Sequence, residues 1–194
     1  MMQTKDRIID VIISHIKKGD RLDKLSIAQI ALEAEIGKST LYEYFENKES
    51  LISNTYDLLL NHYETILLKP LSEKTFEKQF KEQIELILTV LLDAKEIMDA
   101  ILKNEQTLYD PTGVIERKSH HIQERIQERF TEIFQKGLHE NIIKPFVTTP
   151  YQKNVIEALM SGLLYQYCTN MIEIEKTELL DLIYHSSLLI LNQK

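Results

Sequence analysis

Ser26–Leu51 reads SIAQIALEAEIGKSTLYEYFENKESL. Ser26 is a helix cap, and Gln29 three residues on makes a capping-box pattern with it. Ile27, Ile30, Ala31 and Ala34 recur at helical spacing and give a first short helix its inner face. The pattern breaks at Glu35–Gly37 and resumes as a second short helix from about Lys38 to Phe45, anchored by Leu41 and Phe45, four apart. Asn47 then caps a long helix through Leu51, Thr55, Leu58, Leu59 and Ile66. Two short helices across a tight turn form the unit that lays a helix in the DNA major groove. With Leu41 and Phe45 turned inward, Lys38, Ser39, Thr40, Tyr42 and Tyr44 are left on the open side.

Upstream, Ile8, Ile9, Ile12, Ile13 and Ile16 define a helix from Thr4 to Lys18, which Gly19 can stop. Downstream, Lys69-Pro70 closes the long helix. Ser72 is positioned to cap the next one, which carries Phe76, Phe80, Ile84, Ile87, Leu88 and Leu91. A short helix near Ile97–Lys103 is expected, then a turn at Tyr109-Asp110-Pro111-Thr112-Gly113. A long amphipathic helix from Ile115 ends near Gly137. Thr149-Pro150 opens another helix, and the last spans about Thr177 to Asn192. The expected class is therefore all-α, with about nine helices and no strand-like alternation. The expected division is a helix-turn-helix domain over residues 1–61 (motif 26–45) and a helical body over 62–194.

Composition sets limits. The chain has 194 residues, 43% of them hydrophobic, with only 5 Gly and 4 Pro. That is enough apolar mass for a sizeable core in a helix-rich protein. A single cysteine, Cys168, excludes an intrachain disulfide and a Cys-based zinc site, and fits a reducing cytoplasm. No apolar run is long enough for a membrane span, and the N-terminus does not read as a secretory signal. The formal net charge of -7 weighs against DNA binding, because phosphate neutralisation needs cations. Residues 1–50 hold 8 Lys and Arg against 9 Asp and Glu, so the acidity lies mostly further on, yet the head is not basic. DNA contact would have to rest on a few placed cations and neutral donors.

Thr40-Leu41-Tyr42, Glu43, Tyr44-Phe45, Glu46-Asn47, Lys48-Glu49 and Leu51, with Ile30-Ala31 upstream, resemble the signature of TetR-family transcriptional regulators. The resemblance covers about Arg7 to Leu60. It implies that Lys38 reaches a guanine edge or a phosphate, and that Ser39 and Thr40 meet phosphate oxygens. Tyr42 and Tyr44 would donate to phosphate or pack on thymine methyls, with core packing as their alternative. Lys48 looks like the family's phosphate clamp, and Ser26 would add a phosphate contact. Two departures stand out. Glu35 occupies the turn where the family usually has Gly, which implies a differently shaped turn. Glu43 is acidic near the DNA side, and either accepts from a cytosine amine or points along the groove edge.

For the body, the resemblance implies a four-helix dimer bundle built from the segments Thr149–Ile172 and Thr177–Asn192. Ala158, Ser161, Gly162, Tyr184 and Leu188 are the candidate interface. Phe80, Ile84, Met98, Leu102, His121, Phe130 and Tyr165 are candidate lining for a small-molecule effector, with plain core as their alternative. Glu116, His120 and Glu124 fall on one helix face, a spacing that suits a metal or simply a solvated charged face. No metal or cofactor is expected, and no nucleophile motif or phosphate loop points to an enzyme. The expected protein is a one-component homodimeric repressor on a near-palindromic operator, its reading helices about 34 Å apart. An effector would release it through the helix that begins at Asn47. The rival is a helical adaptor or sensor that has lost DNA binding.

Overall fold

The computed structural model describes residues 3–95, 109–144 and 150–192. The described residues form eight helices and no strand, so the fold is all-α. The helices are α1 (Thr4–Lys18), α2 (Ile27–Glu33), α3 (Lys38–Tyr44), α4 (Lys48–Leu67), α5 (Phe76–Asp93), α6 (Val114–His139), α7 (Pro150–Cys168) and α8 (Lys176–Leu191). The helix expected near Ile97–Lys103 lies outside the described residues, as do Met98 and Leu102. Among the described residues no helix is long and apolar enough to cross a membrane, and no three His, Cys, Asp or Glu gather as a metal site.

The chain divides into two compact units. The first holds the described residues of Met1–Thr65 and Ala94–Ile122. Its core is built from Ile8, Ile12 and Ile16 of α1, Ile30 and Ala31 of α2, Leu41, Phe45, and Leu51, Ile52 and Tyr56 of α4. Val114 joins this core, with Tyr109 and Ile115 packed against it. Asp110 explains why α6 starts where it does: its two carboxylate oxygens accept from the Val114 and Ile115 amides at 3.0 and 2.9 Å. Thr112 Oγ1 donates to Ser53 Oγ at 2.8 Å, and Lys118 is 3.4 Å from Asp57, so the start of α6 is tied to α4.

The second unit holds Ile66–Asp93 and the described residues of Gln123–Lys194. An aromatic cluster of Phe76, Phe80, Phe130, Phe134 and Tyr184 lies at its centre, with neighbouring ring centroids 5.8 to 6.2 Å apart. Such offset and tilted pairs add to what apolar burial alone contributes. The end of α4 is finished by side chains rather than by its own backbone. Arg129 donates to the Leu68 and Lys69 carbonyls, and the fully buried Gln83 donates to the Leu67 carbonyl. These satisfy carbonyls that a helix C-terminus otherwise leaves open.

One expectation about this unit fails. Ser72 does not cap α5. Its amide and hydroxyl donate to Glu82, while the Phe76 amide at the helix start is taken by Glu140, 64 residues away in sequence. α6 ends at His139, near Gly137 as expected, with Gly137 inside its last turn. The missing side chain of Gly137 makes room: a Cβ there would sit 2.7 Å from Ile143 Cδ1 and 3.0 Å from Phe76. The reversal comes at Asn141, at φ 59°, in the left-handed region that asparagine tolerates.

Candidate nucleic-acid interface

The turn between α2 and α3 is built by hydrogen bonds that close α2. The Glu35 amide donates to the Leu32 carbonyl at 3.1 Å and the Ile36 amide to the Ala31 carbonyl at 2.9 Å. This pair of bonds is a Schellman motif, and it places the residue after the helix in the left-handed region. That residue is Glu35, at φ 56°. The differently shaped turn expected from a missing glycine is therefore not what forms. Glu35 adopts the left-handed conformation itself, at a cost of about 1 kcal/mol for a residue with a Cβ. Gly37 sits at φ -74° as the residue before α3, where any side chain would fit.

Ser26 caps α2, accepting from the Gln29 amide at 3.1 Å. Only this half of the capping box forms, because the Gln29 side-chain amide donates forward to Glu33 at 3.0 Å. Ser26 remains exposed, with its hydroxyl proton free to donate. On α3, Leu41 and Phe45 are buried at 0% and 2% exposure, while Tyr42 and Tyr44 are exposed at 53% and 45%. Lys38 and Ser39 are also exposed and Thr40 is half-buried. One short helix thus presents a lysine, a serine and two tyrosines to solvent over two apolar anchors.

Lys48 is more constrained than its family role implies. Its ammonium donates to the Asp23 carbonyl at 2.8 Å and the Leu25 carbonyl at 2.9 Å, binding the α1–α2 connection to the start of α4. Two of the three ammonium protons are thereby used inside the protein. The Leu25 carbonyl belongs to the peptide that joins Ser26, so Lys48 and Ser26 do come together.

A second tie escaped the sequence reading. His15, 5% exposed, places Nδ1 2.6 Å from Asp20 Oδ2 and Nε2 2.8 Å from Glu33 Oε2. This histidine joins α1, the following loop and the end of α2. Hydrogen bonds from Gln29 and then His15 hold the Glu33 carboxyl below its usual range. A histidine inside an isoleucine stripe, with an acid five residues on, was the available signal.

The described effector candidates in the second unit do not line a common cavity. Phe80, Ile84 and Phe130 are buried and packed in the second unit's core. Tyr165 stands on the outside of α7, 55% exposed. His121 is exposed in the first unit, 3.5 Å from Glu64. The second unit does carry an open hollow of about 600 Å³, lined by Leu71, Gln79, Arg129, Glu132, Ile133, Gln135, Lys136 and His139. Of the dimer candidates, Ala158 and Ser161 are exposed, and nothing lies within 4 Å of where a Gly162 Cβ would be. Leu188 is half-buried against the core. Tyr184 is buried in the chain's own core, with the Lys81 ammonium 5.1 Å from its ring centre.

An exposed polar helix, held over two apolar anchors and preceded by a capped helix and a tight turn, defines a helix-turn-helix protein. Residues 22–54 match the model described as bacterial regulatory proteins, tetR family. No relative among curated proteins matches the sequence. Solved structures share the fold along almost the whole chain. A TetR family protein from Vibrio parahaemolyticus has 16% identity and a TM-score of 0.64, over 99% of this chain and 100% of that one. A protein of unknown function from a Rhodococcus species has 16% identity and a TM-score of 0.70, over 100% and 97%. A TetR transcription regulator from Haloarcula marismortui has 14% identity and a TM-score of 0.66, over 97% and 96%. Over residues 22–54 the chain is thus similar to the DNA-binding segment of tetR-family regulators, and its fold is that of solved structures of that family.

Proposed function

We propose that the protein is a homodimeric repressor that binds a near-palindromic operator in the cytoplasm and leaves it when a small molecule binds. The observation that carries the DNA reading is the solvent-facing side of α3, with Tyr42 and Tyr44 exposed over buried Leu41 and Phe45. Two exposed tyrosines on one polar helix face, each with an apolar ring and a hydroxyl donor, suit an interface with DNA. Lys38, Ser39, Thr40, Tyr42 and Tyr44 would make the groove contacts, and Ser26 with the remaining Lys48 proton would hold phosphates.

A dimer is supported by a stripe on α7. Tyr151, Val155, Ala158, Gly162 and Tyr165 recur every three or four residues, and the three large ones are 73%, 49% and 55% exposed. On α8, Leu182 and Leu189 add to it at 41% and 70% exposure. A two-fold contact would pair this surface with its copy. Val155→Glu with Leu189→Glu should give a monomer on analytical ultracentrifugation; a dimer that persists removes this surface from the interface.

For the effector, the 600 Å³ hollow sets Leu71 and Ile133 beside Arg129, Glu132 and Lys136, an apolar wall with groups of both charges that suits a small amphipathic molecule. α4 and α6 each contribute residues to both units, and so are the segments through which occupancy of the body would reach the head. Only an effector with different affinity for the two conformations can shift them. Selection of bound duplex from a random pool tests the DNA reading. One enriched near-palindrome supports it, and a pool that stays random after repeated rounds leaves the adaptor or sensor reading in its place.

A further inference from the structure

We infer that Glu43 reads a cytosine in each half of the DNA site and sets the protein's base preference. This deepens the DNA-binding reading above and rests on it. Each residue of an α-helix turns about 100° around the axis, so residues two before and two after a buried position emerge about 200° round, on the opposite side. The fully buried position on α3 is Leu41. The two residues opposite it are Ser39 and Glu43, both exposed. Glu43 therefore stands at the crown of the surface that would enter the groove, flanked by Tyr42 and Tyr44.

Its carboxylate has no hydrogen bond or ion pair among the described residues. Other carboxylates of the same head are engaged: Glu33 with Gln29 and His15, Glu35 4.0 Å from Arg7, and Glu49 with the Tyr109 hydroxyl. Glu43 is the acid that is both at the crown and unpartnered there.

An ionised carboxylate can only accept hydrogen bonds. In the major groove guanine offers N7 and O6, and thymine offers O4, all acceptors that repel it. Donors come from cytosine N4 and adenine N6. Adenine places the acceptor N7 beside its amine, so a second carboxylate oxygen meets repulsion there. The major-groove edge of cytosine carries no such acceptor. Cytosine is thus the base on which this side chain settles best: guanine and thymine leave a desolvated charge without a partner, and adenine serves one carboxylate oxygen while its N7 repels the other.

The test uses the full chain and duplex pools randomised over the site. The wild type should enrich cytosine at one fixed position of each half-site. Glu43→Gln should lose that preference and admit adenine, whose N6 and N7 an amide can bridge. Glu43→Ala should become indifferent at that position and bind arbitrary duplex severalfold more tightly. Replacing the selected C·G pair by T·A should weaken the wild type about tenfold and Glu43→Ala hardly at all, a double-mutant cycle that isolates the contact. The exposed site lets each variant fold, which circular dichroism verifies. If wild type and Glu43→Gln select the same base at every position, the inference about Glu43 fails while DNA binding stands. If the wild type enriches no sequence, the DNA-binding reading fails and takes this inference with it.

Discussion

Replacing Lys48 by methionine keeps most of the apolar stem and removes the ammonium, and its consequences separate two roles of one side chain. The ammonium makes hydrogen bonds of 2.8 and 2.9 Å to the Asp23 and Leu25 carbonyls. A hydrogen bond from a charged donor contributes roughly 1.5–3 kcal/mol when buried. The site is half-buried, so solvent replaces part of each bond, and the pair together should be worth about 2–3 kcal/mol. Set against a total stability of about 5–15 kcal/mol, the variant remains folded at 25 °C but unfolds at clearly lower urea. The second role concerns DNA. Each phosphate neutralised contributes about 0.9 to the slope of log K against log salt. Two heads per dimer should therefore lose about 1.8 from that slope. Urea unfolding followed by circular dichroism reads the first effect, and fluorescence anisotropy of labelled duplex at several salt concentrations reads the second. An unchanged unfolding midpoint refutes the carbonyl clamp. A lowered midpoint with an unchanged salt slope refutes the phosphate contact and leaves Lys48 a brace for the head.

Glu35→Gly relieves a left-handed residue at φ 56°, worth about 1 kcal/mol, and the greater freedom of the unfolded glycine offsets roughly half of it, so stability should rise by about 0.5 kcal/mol; a lowered melting temperature would contradict this. Tyr56 has a buried hydroxyl with no hydrogen-bond partner among the described residues, and burial, then the nearby Asp110 charge, pushes its pKa from 10.0 up to about 12. Tyr56→Phe should stabilise by about 1 kcal/mol at neutral pH. Its advantage should grow as pH rises through the window from 10.0 to about 12, where the unfolded wild type has lost the proton and the folded one still holds it, and an advantage flat with pH in denaturant titrations would refute this. Burial pushes the Glu82 carboxyl up, but the Ser72 and Glu73 amides and the Ser72 hydroxyl outweigh it and leave it below its usual value. Its stabilising share is present above the unfolded value of 4.5 and lost as pH falls through the lower folded one, so the cost of Glu82→Gln should shrink steadily as pH falls below 4.5, and a cost unchanged with pH would refute the linkage.

What the sequence made legible was what is written locally. Ile8 to Ile16 and Leu41 with Phe45 declare their buried sides by spacing alone, and α1 begins and ends at Thr4 and Lys18, as read. The left-handed turn after α2 was legible as a turn but not as one that Glu35 would occupy, because the Schellman bonds and the packing of Ile36 decide it. Ser72 looked like a cap because its true partner, Glu82, is ten residues on, and the partner of the Phe76 amide, Glu140, is 64 away. No local pattern carries that information. Lys48 shows the same limit, since its acceptors lie 25 and 23 residues upstream. For the body, periodicity placed Phe80, Ile84 and Phe130 on inner faces, but it cannot distinguish a side chain that fills a core from one that lines a cavity. Tyr165 shared that periodicity and emerged on the outer stripe.

The charge of the head and the position of Glu43 are parts of one argument about specificity. Residues 1–50 hold 8 cations against 9 anions, so attraction to phosphate, which supplies nearly all non-specific binding, is weak. What matters in a genome is the ratio of specific to non-specific affinity, multiplied by the number of competing sites. A basic head raises both affinities together. An acidic residue at the centre of the reading surface lowers affinity for every sequence except the one that offers it an amine. On the proposed reading, specific affinity would come from neutral donors such as Tyr42 and Tyr44, from Lys38, and from joining two heads in one dimer. Linking the heads converts the second binding event into an intramolecular one without adding net charge. A head of this composition gives up on-rate and absolute affinity in exchange for discrimination. The expected signature is a salt slope shallow for a dimeric helix-turn-helix protein, together with a steep loss of binding on single-base changes at the cytosine positions.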